Sequence, residues 1–453
     1  MLHLLCAAAL APLLVTADLP ETIAKLPVGT QLTFRGTVGA QGEDPLAAQK
    51  TFDLRLWITT KSATGGELFW LLDERGPGEF SWSERFGRLP FDARWRSGLP
   101  GPALLYDRGE AKSVIHIPLP FLVPEKPLAV GVTFQEQKLE YTVDKPTKAG
   151  DRAAWYVSVR DSFGPKRTLR VDQQSPLVLT TSEKLTLGRG EQYQLTLDFV
   201  TAETLTSEQL AALTAVIEGF TALDGKLNLP AESQEIVWKP EQLEVLRQKL
   251  PELAKTATGT PLADLAATAD RDLQLQSGRT DAVASLAAKF TGQPVADFSI
   301  RGLGDAALSL ADLKGHVTVL HFWDYRDEPL KEPYGQVGYL DFMYQRRKAA
   351  GMRLYGVAVN SRLGDDKSRG SAERSVKKLQ AFMNLGYPIL LDAGGLLKQF
   401  GDPRVLGANL PLFVVIGPDQ KILHYHVGTY EVSQDQGLKE LDAVVSKALE
   451  TSK

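Results

Sequence analysis

A group of acidic side chains follows an apolar run in the last third of the chain. The run Val317–Trp323 contains His321, and Asp324, Asp327 and Glu328 come directly after it. Hard cations take several carboxylate oxygens and histidine is a common metal ligand, so a cation site is one interpretation. In the other, Asp327 caps the following helix and Glu328 interacts with its dipole. We favour this structural interpretation and expect no bound metal; His321, Asp324 and Glu328 are the candidate ligands if one is present.

A second possible metal-ligating pair lies near the end of the chain. His424 and His426 are residues i and i+2 of an apolar stretch, which predicts that they share one face of a strand and could join a His/Asp site. Paired histidines on a strand are more commonly packed or solvated, and we favour that alternative. The sequence contains no phosphate-binding loop, His-Glu-x-x-His motif or nucleophile elbow, so we predict no cofactor.

Cysteine usage limits the chemistry further, because the chain has one cysteine, Cys6. It lies in the apolar run Leu2–Val15, and the small residues that follow, ending at Ala17, are typical of a signal peptidase site. We therefore predict a signal peptide over residues 1–17 and export to the periplasm or cell envelope; the alternative is an uncleaved anchor, which would be the only contact with the membrane. Cleavage after Ala17 would leave no thiol, disulfide or cysteine metal ligand in the mature chain.

The length of 453 residues predicts about three domains. Alternating apolar and polar residues dominate 18–202, which predicts an all-β domain, either a sandwich or a half-barrel. A helical period over 203–290 predicts a helical spacer made of four segments, and 291–453 alternates strands with helices as an α/β domain does. The net charge of −4 gives no basic surface for phosphates, so no nucleic acid partner is expected.

The last domain resembles the thioredoxin-like redoxin family, in particular its alkyl hydroperoxide reductase/thiol-specific antioxidant type. The matching segments are the opening stretch, the first core strand with its lead-in, the end of the next strand, a Tyr-Pro-Ile-Leu-Leu-Asp segment, and the loop and strand that carry the family's cis-proline. They are Gly292–Ser299, Leu310–Trp323, Gly356–Asn360, Tyr387–Asp392 and Gly407–Gly417. The resemblance implies a thioredoxin-like fold for residues 291–453, with Pro411 as the cis-proline.

The resemblance fails at the family's chemical centre. Relatives carry Cys-x-x-Cys shortly after the Phe-Trp pair, where the helix N-terminus stabilises a thiolate. Here Asp327 and Leu330 occupy those two positions. A carboxylate cannot replace a thiolate, because it does not form and release an S–S bond. We therefore predict no catalytic residue, and the enzyme question stays open.

The remaining family property needs no cysteine. In the family, the backbone beside the cis-proline pairs with an extended peptide, and strand addition of this kind depends on main-chain hydrogen bonds. The predicted peptide-binding residues are Trp323, Leu410 and Pro411, and the predicted partner is an envelope protein or peptide. The leading hypothesis is thus an exported, redox-silent binding module. The alternative is an oxidoreductase or antioxidant of the redoxin class that uses a borrowed thiol or a metal.

A third hypothesis assigns binding to the β domain. Residues 76–100 interleave five aromatic side chains with arginines, a composition typical of interaction surfaces. The other interpretation is a long loop whose aromatic side chains cover one end of the sheet, and we favour it because such loops need their own apolar packing.

Overall fold

The computed structural model describes residues 26–40, 49–108, 112–188, 190–229, 237–304, 306–324 and 336–451. The predicted signal peptide, residues 1–17, lies outside these ranges, and so do Asp327, Glu328 and Leu330. The chain forms two compact units, Met1–Gln274 and Leu275–Lys453. The three-part domain boundaries expected from the sequence stay a prediction. None of the helices in the described ranges combines the length and apolar character needed to span a bilayer.

The N-terminal unit is built on one large antiparallel sheet. Its strands are β1 (Thr30–Ala40), β2 (Lys50–Ser62), β3 (Gly65–Arg75), β4 (Phe86–Asp92), β5 (Ala103–Asp107), β6 (Lys112–His116), β7 (Thr133–Glu136), β8 (Leu139–Ala149), β9 (Arg152–Asp161), β10 (Gly164–Asp172), β11 (Val178–Leu187) and β12 (Glu191–Thr204). Ten of them form the sheet, in the order β4-β3-β2-β1-β12-β11-β10-β9-β8-β7, and β5 pairs with β6 separately. The all-β prediction for this region is confirmed at the level of this sheet, while the choice between a sandwich and a half-barrel stays a prediction.

Three helices follow the sheet: α1 (Ser207–Leu227), α2 (Pro240–Ala257) and α3 (Ala263–Phe290). Thr206 and Gln209 form a capping box at the start of α1, since the Thr206 hydroxyl accepts from the Gln209 N–H and the Gln209 side chain accepts from the Thr206 N–H. The third and fourth helical segments expected from the sequence are one continuous helix, α3. A lone Gly278 lowers helix propensity by about 1 kcal/mol, which is too little to end a long helix.

Both faces of the sheet's central strands are covered. On β2, Phe52, Leu54 and Leu56 point into one apolar core. Trp57 points to the opposite face and is also fully buried, because it packs in a second core together with apolar residues of α1, α2 and α3. The strict apolar–polar alternation expected for this strand therefore breaks at Trp57. The cause is a helical layer on a face that the sequence pattern alone does not show to be covered.

The aromatic segment between residues 76 and 100 is part of these cores. Its five aromatic side chains are all at most 9% exposed; they are Phe80, Trp82, Phe86, Phe91 and Trp95. The Trp82 ring stacks on Phe86 at 5.9 Å and contacts Phe220 of α1 at 5.7 Å. The packing interpretation of this segment therefore agrees with the structure, and these rings are not available as an exposed stacking surface.

A buried ion pair lies inside the N-terminal unit. Lys50 Nζ and Glu74 Oε2 are 2.9 Å apart, and neither side chain has any exposed surface. The Glu74 carboxylate also accepts from the backbone N–H groups of Phe80 and Leu105. Arg85 lies near the same carboxylate and donates to the Phe80 carbonyl. This network satisfies buried charges that would otherwise be strongly destabilising.

The C-terminal unit contains a second, mixed sheet. Its elements are β13 (Ser299–Arg301), β14 (Ala307–Ser309), α4 (Leu310–Leu313), β15 (Val317–Asp324), α5 (Val337–Arg347), β16 (Met352–Val359), α6 (Arg369–Phe382), β17 (Ile389–Asp392), α7 (Gly395–Gln399), β18 (Leu412–Ile416), β19 (Ile422–Val427) and α8 (Lys439–Thr451). Five strands pair in the order β17-β16-β15-β18-β19. β15 is parallel to β16 and antiparallel to β18.

Helices cover both faces of this sheet and so explain the apolar run of β15. Apolar residues of α5, α6 and α8 fill the core on one face, and residues of α7 and of the segment before β15 fill the core on the other. All of β15 is buried except its last residue, Asp324. The strand therefore delivers Trp323 and Asp324 to one edge of the sheet, where the parallel strands end.

Candidate functional site

The edge of the C-terminal sheet brings the predicted peptide-binding residues together. Phe322 of β15 is paired with Leu412 of the antiparallel strand β18. Continuing this register by one residue places Trp323, which follows Phe322, opposite Pro411, which precedes Leu412. The Leu410–Pro411 peptide bond is cis, as the resemblance implies. Beyond Pro411, the N–H of Gly428 donates to the Pro411 carbonyl at 2.8 Å and continues the pairing of β18 with β19.

Leu410 comes directly before Pro411, at the same end of the sheet. No backbone hydrogen bond joins its N–H or C=O to another residue in the described ranges. Its side chain is half-buried and packs against the core on one face of the sheet. The Leu410 main chain therefore has one donor and one acceptor that no described backbone group uses.

Trp323 is a core residue at this end of the sheet and does not line its surface. Its side chain is 3% exposed and belongs to the core on the α5 face. Gly356 of β16 leaves the space that the indole uses, because a Cβ there would come within 3.3 Å of Trp323 Nε1 and 3.0 Å of the Tyr387 ring. A bulkier residue at 356 would push the indole out of position.

Aspartates end two of the three parallel strands, β15 and β17. Asp324 is exposed at the end of β15, and Asp392 is buried at the end of β17, where its carboxylate accepts from the backbone N–H groups of α7. Arg404 forms a two-point ion pair with Asp402. That hydrogen-bonded pair raises the pKa of Arg404, and the charges of Asp324 and Asp392 raise it further. The arginine therefore stays charged beside an otherwise acidic edge.

Gln336 joins the start of α5 to the loop after β19. Its side-chain Nε2 donates to the Tyr430 carbonyl at 2.7 Å, and its Oε1 accepts from the Tyr430 N–H at 2.9 Å. Gln336 is 2% exposed and has a φ of 68°, in the left-handed region that few side chains adopt. The sequence gives no local signal for this contact, because the two residues are far apart along the chain.

The candidate metal ligands near Trp323 are not brought together. The His321 side chain is fully buried and stacks on the Phe413 ring at 4.7 Å. Asp324 is three residues further along the same strand and therefore points to the opposite face. Glu328 lies outside the described residues, and so do Asp327 and Leu330, which the sequence predicts at the positions of the family's two cysteines.

His424 and His426 do share one face of β19, as their spacing predicts. The His426 ring stacks on the Tyr430 ring at 4.0 Å, and Nε2 of His424 lies 2.8 Å from the Tyr430 hydroxyl. Burial lowers the pKa of both histidines, and Glu440 acts in the opposite direction on each. The hydroxyl pKa of Tyr430 is raised by burial. Sequence reasoning missed Tyr430 and Glu440, which come from the following loop and helix.

Comparison with known proteins agrees with this geometry. The AhpC/TSA family model matches residues 291–425. The C-terminal region is a thioredoxin-like redoxin domain, as the resemblance predicts. The match covers less than a third of the chain, so it describes this domain alone.

Three individual proteins illustrate the similarity. The chain is 29% identical over 154 residues to the thioredoxin-like protein YneN of Bacillus subtilis, an alignment that covers 33% of this chain and 79% of that protein. Among solved structures, a thiol:disulfide interchange protein of the thioredoxin family from Chlorobium tepidum is 18% identical, with 35% of this chain and 97% of that one covered and a TM-score of 0.27. A secreted disulfide oxidoreductase of Mycobacterium tuberculosis is 17% identical, with 33% and 95% covered and a TM-score of 0.25.

Proposed function

We propose that this protein is exported to the cell envelope and that its redoxin domain binds an extended segment of a partner protein without redox chemistry. The observation that carries the proposal is the main chain of Leu410, which makes no backbone hydrogen bond to another described residue and directly precedes Pro411 at the end of the sheet. Strand addition at such a position takes its affinity from backbone hydrogen bonds.

The loss of redox chemistry is argued from the sequence. Asp327 and Leu330 stand where relatives carry the two cysteines, and the single cysteine of the chain is Cys6 in the predicted signal peptide. Thiol–disulfide exchange requires a thiolate that attacks and leaves, and a mature chain without cysteine has none. The activity in the names of the disulfide-exchange proteins is therefore not carried over to this chain.

Site-specific photo-crosslinking of the full chain in envelope extract tests the binding proposal. A benzophenone amino acid is introduced in place of Leu410 and, as a control, in place of Val405, which is 81% exposed on the neighbouring turn. We expect a discrete crosslinked partner from position 410 alone, and we expect Pro411→Ala to remove it. Equal crosslinking from both positions, or none from 410, would overturn the assignment of this edge.

An insulin-reduction assay and a hydroperoxide assay on the same preparation test the second half of the proposal. We expect no turnover above a blank without protein. Turnover by the mature chain would overturn the redox-silent assignment and favour an oxidoreductase that borrows a thiol or uses a metal. The two claims, partner binding and the absence of redox activity, are tested separately, because crosslinking at position 410 reports binding whether or not the assays detect turnover.

A further inference from the structure

A group of metal-ligating side chains lies at the edge strand of the C-terminal sheet. His424 and His426 project from β19, and Glu440 projects from the first turn of α8. One ligand atom from each of the three lies within 4.8 Å of the other two. Among the residues that the structure describes, no other group of three His, Cys, Asp or Glu side chains has its ligand atoms this close together.

The orientation of His426 is the most informative detail. Its Nε2 is buried and has no hydrogen-bond partner in the described part of the chain. A buried imidazole nitrogen without a hydrogen-bond partner can bind a metal ion, since the nitrogens of neutral imidazole are common metal ligands.

Tyr430 fixes both rings. It stacks on His426 at 4.0 Å with the planes 14° apart, and its hydroxyl lies 2.8 Å from Nε2 of His424. The Tyr430 backbone is in turn bonded at both its N–H and its carbonyl by Gln336. The two imidazoles are therefore held by neighbours before any ligand binds, while Glu440 is exposed and can turn towards them.

We infer that His424, His426 and Glu440 bind a divalent transition-metal ion of the zinc class. Two imidazole nitrogens and one carboxylate oxygen form a donor set found at zinc sites that keep a fourth position open to water. A tetrahedral zinc ion with bonds of about 2.0–2.1 Å holds its ligand atoms roughly 3.4 Å apart. The three ligand atoms here lie within 4.8 Å of one another, and the exposed Glu440 side chain is the one that can turn to shorten its distances. Imidazole ligands disfavour calcium and magnesium, which take oxygen donors.

This site is distinct from the proposed peptide-binding edge and does not depend on it. His424 and His426 lie on the outer strand of the sheet, whereas Leu410 precedes β18. Glu440 is in the helix that follows β19, so a bound ion would join the last helix to the edge strand.

Calorimetric titration of Zn²⁺ into the full chain, prepared without a histidine tag in metal-free buffer, tests the inference. We expect one ion per chain, a weaker site by more than about 100-fold in His426→Gln, and a loss of at least about tenfold in Glu440→Gln. His116→Gln and Glu450→Gln are the matched controls, because both residues are exposed and neither belongs to the group. We expect both controls to bind as the wild type does.

Co²⁺ absorption and thermal melting provide readouts that do not depend on heat signals. Co²⁺ in the wild type should give the intense visible bands of a four-coordinate ion, and Zn²⁺ should raise the melting temperature of the wild type by more than that of Glu440→Gln. Glu440 is exposed, so this variant keeps the fold even if His426→Gln does not. Absence of stoichiometric binding in the wild type, or equal affinity in Glu440→Gln and Glu450→Gln, would overturn the site.

Discussion

Gln336 and Tyr430 are joined by two hydrogen bonds, of 2.7 and 2.9 Å, between a side-chain amide and a backbone peptide group. An amide side chain is suited to this role because it offers one donor and one acceptor at the spacing of the peptide group it faces. Both residues are buried, so neither backbone group of Tyr430 has water as a substitute. The loop that carries Tyr430 therefore depends on the start of α5 for its position.

Gln336→Leu should destabilise the protein by about 2–4 kcal/mol, because it removes two hydrogen bonds and leaves a buried N–H and a buried carbonyl without partners. Urea denaturation followed by tryptophan fluorescence measures the change. Gln434→Leu is the control at an exposed position in the nearby loop, and it should stay within about 0.5 kcal/mol of wild type. Equal effects of the two substitutions would show that the Gln336 pairing contributes nothing specific.

Glu74→Gln should destabilise the N-terminal unit by about 3–5 kcal/mol, because it leaves the ammonium of Lys50 buried without its counter-charge. Glu67→Gln on the same strand removes a partly exposed pair with Arg88 and should cost no more than about 1 kcal/mol. Denaturant midpoints of the two variants give the comparison.

Replacing both members of the buried pair separates the attraction from the cost of burial. Lys50→Met with Glu74→Leu should recover most of the stability that Glu74→Gln loses, since buried pairs replaced by apolar residues of similar size are commonly as stable as the original. A double variant less stable than the single one would show that the hydrogen bonds that Glu74 accepts from the N–H groups of Phe80 and Leu105 outweigh the cost of burying the charges.

Trp82→Ala should lower the free energy of unfolding by about 3–5 kcal/mol through the cavity it leaves between the sheet and α1. Phe163→Ala removes an aromatic ring that is 97% exposed and should change stability by less than about 0.5 kcal/mol. Thermal and urea denaturation distinguish the two. A tolerated Trp82→Ala would contradict the packing role of this segment and revive its interpretation as a binding surface.

Asp92 should titrate with a pKa of about 2, because the Arg96 side chain hydrogen-bonds its carboxylate and the backbone N–H groups of Arg96 and Arg94 add to the effect. A lowered folded-state pKa means that the stabilisation is present above the ordinary value near 3.8 and is lost as the pH falls through about 2. Carboxyl-carbon NMR measures the titration directly.

Two arginine variants assign the cause of this shift. Arg96→Ala should return the Asp92 pKa towards its ordinary value, whereas Arg94→Ala should leave it low, since Arg94 bonds Asp92 through its backbone and directs its side chain to Glu125. Identical titration curves for the two variants would contradict the assignment to the Arg96 side chain.

The parts of the fold that were predictable from sequence are those set by local pattern. The apolar run Val317–Trp323 predicts a strand buried on both faces, and the loop before β18 predicts the cis bond at Pro411 through the family resemblance. Both are confirmed. Alternation of apolar and polar residues predicts strands such as β9 and β12, but it does not give the number of strands in the sheet or their order.

The parts that were missed depend on contacts between distant segments. Trp57 reads as an outward residue until α1 is known to cover that face, and Gln336 reads as an ordinary polar residue until Tyr430 is placed beside it. Glu440 likewise joins His424 and His426 only once α8 is folded against β19. A single sequence carries no signal for such pairs, since neither member changes the periodicity of its own segment.

The order of strands in the N-terminal sheet has a consequence for synthesis on the ribosome. β1 pairs on one side with β2, the next strand to emerge, but on its other side with β12, so that Thr30 meets Thr204. Nearly the whole domain must therefore be translated before that second edge of β1 is covered, and an uncovered edge is a template for pairing with other chains. The nascent chain is most vulnerable to aggregation during this interval, and a holdase that shields residues 30–40 would be most useful then.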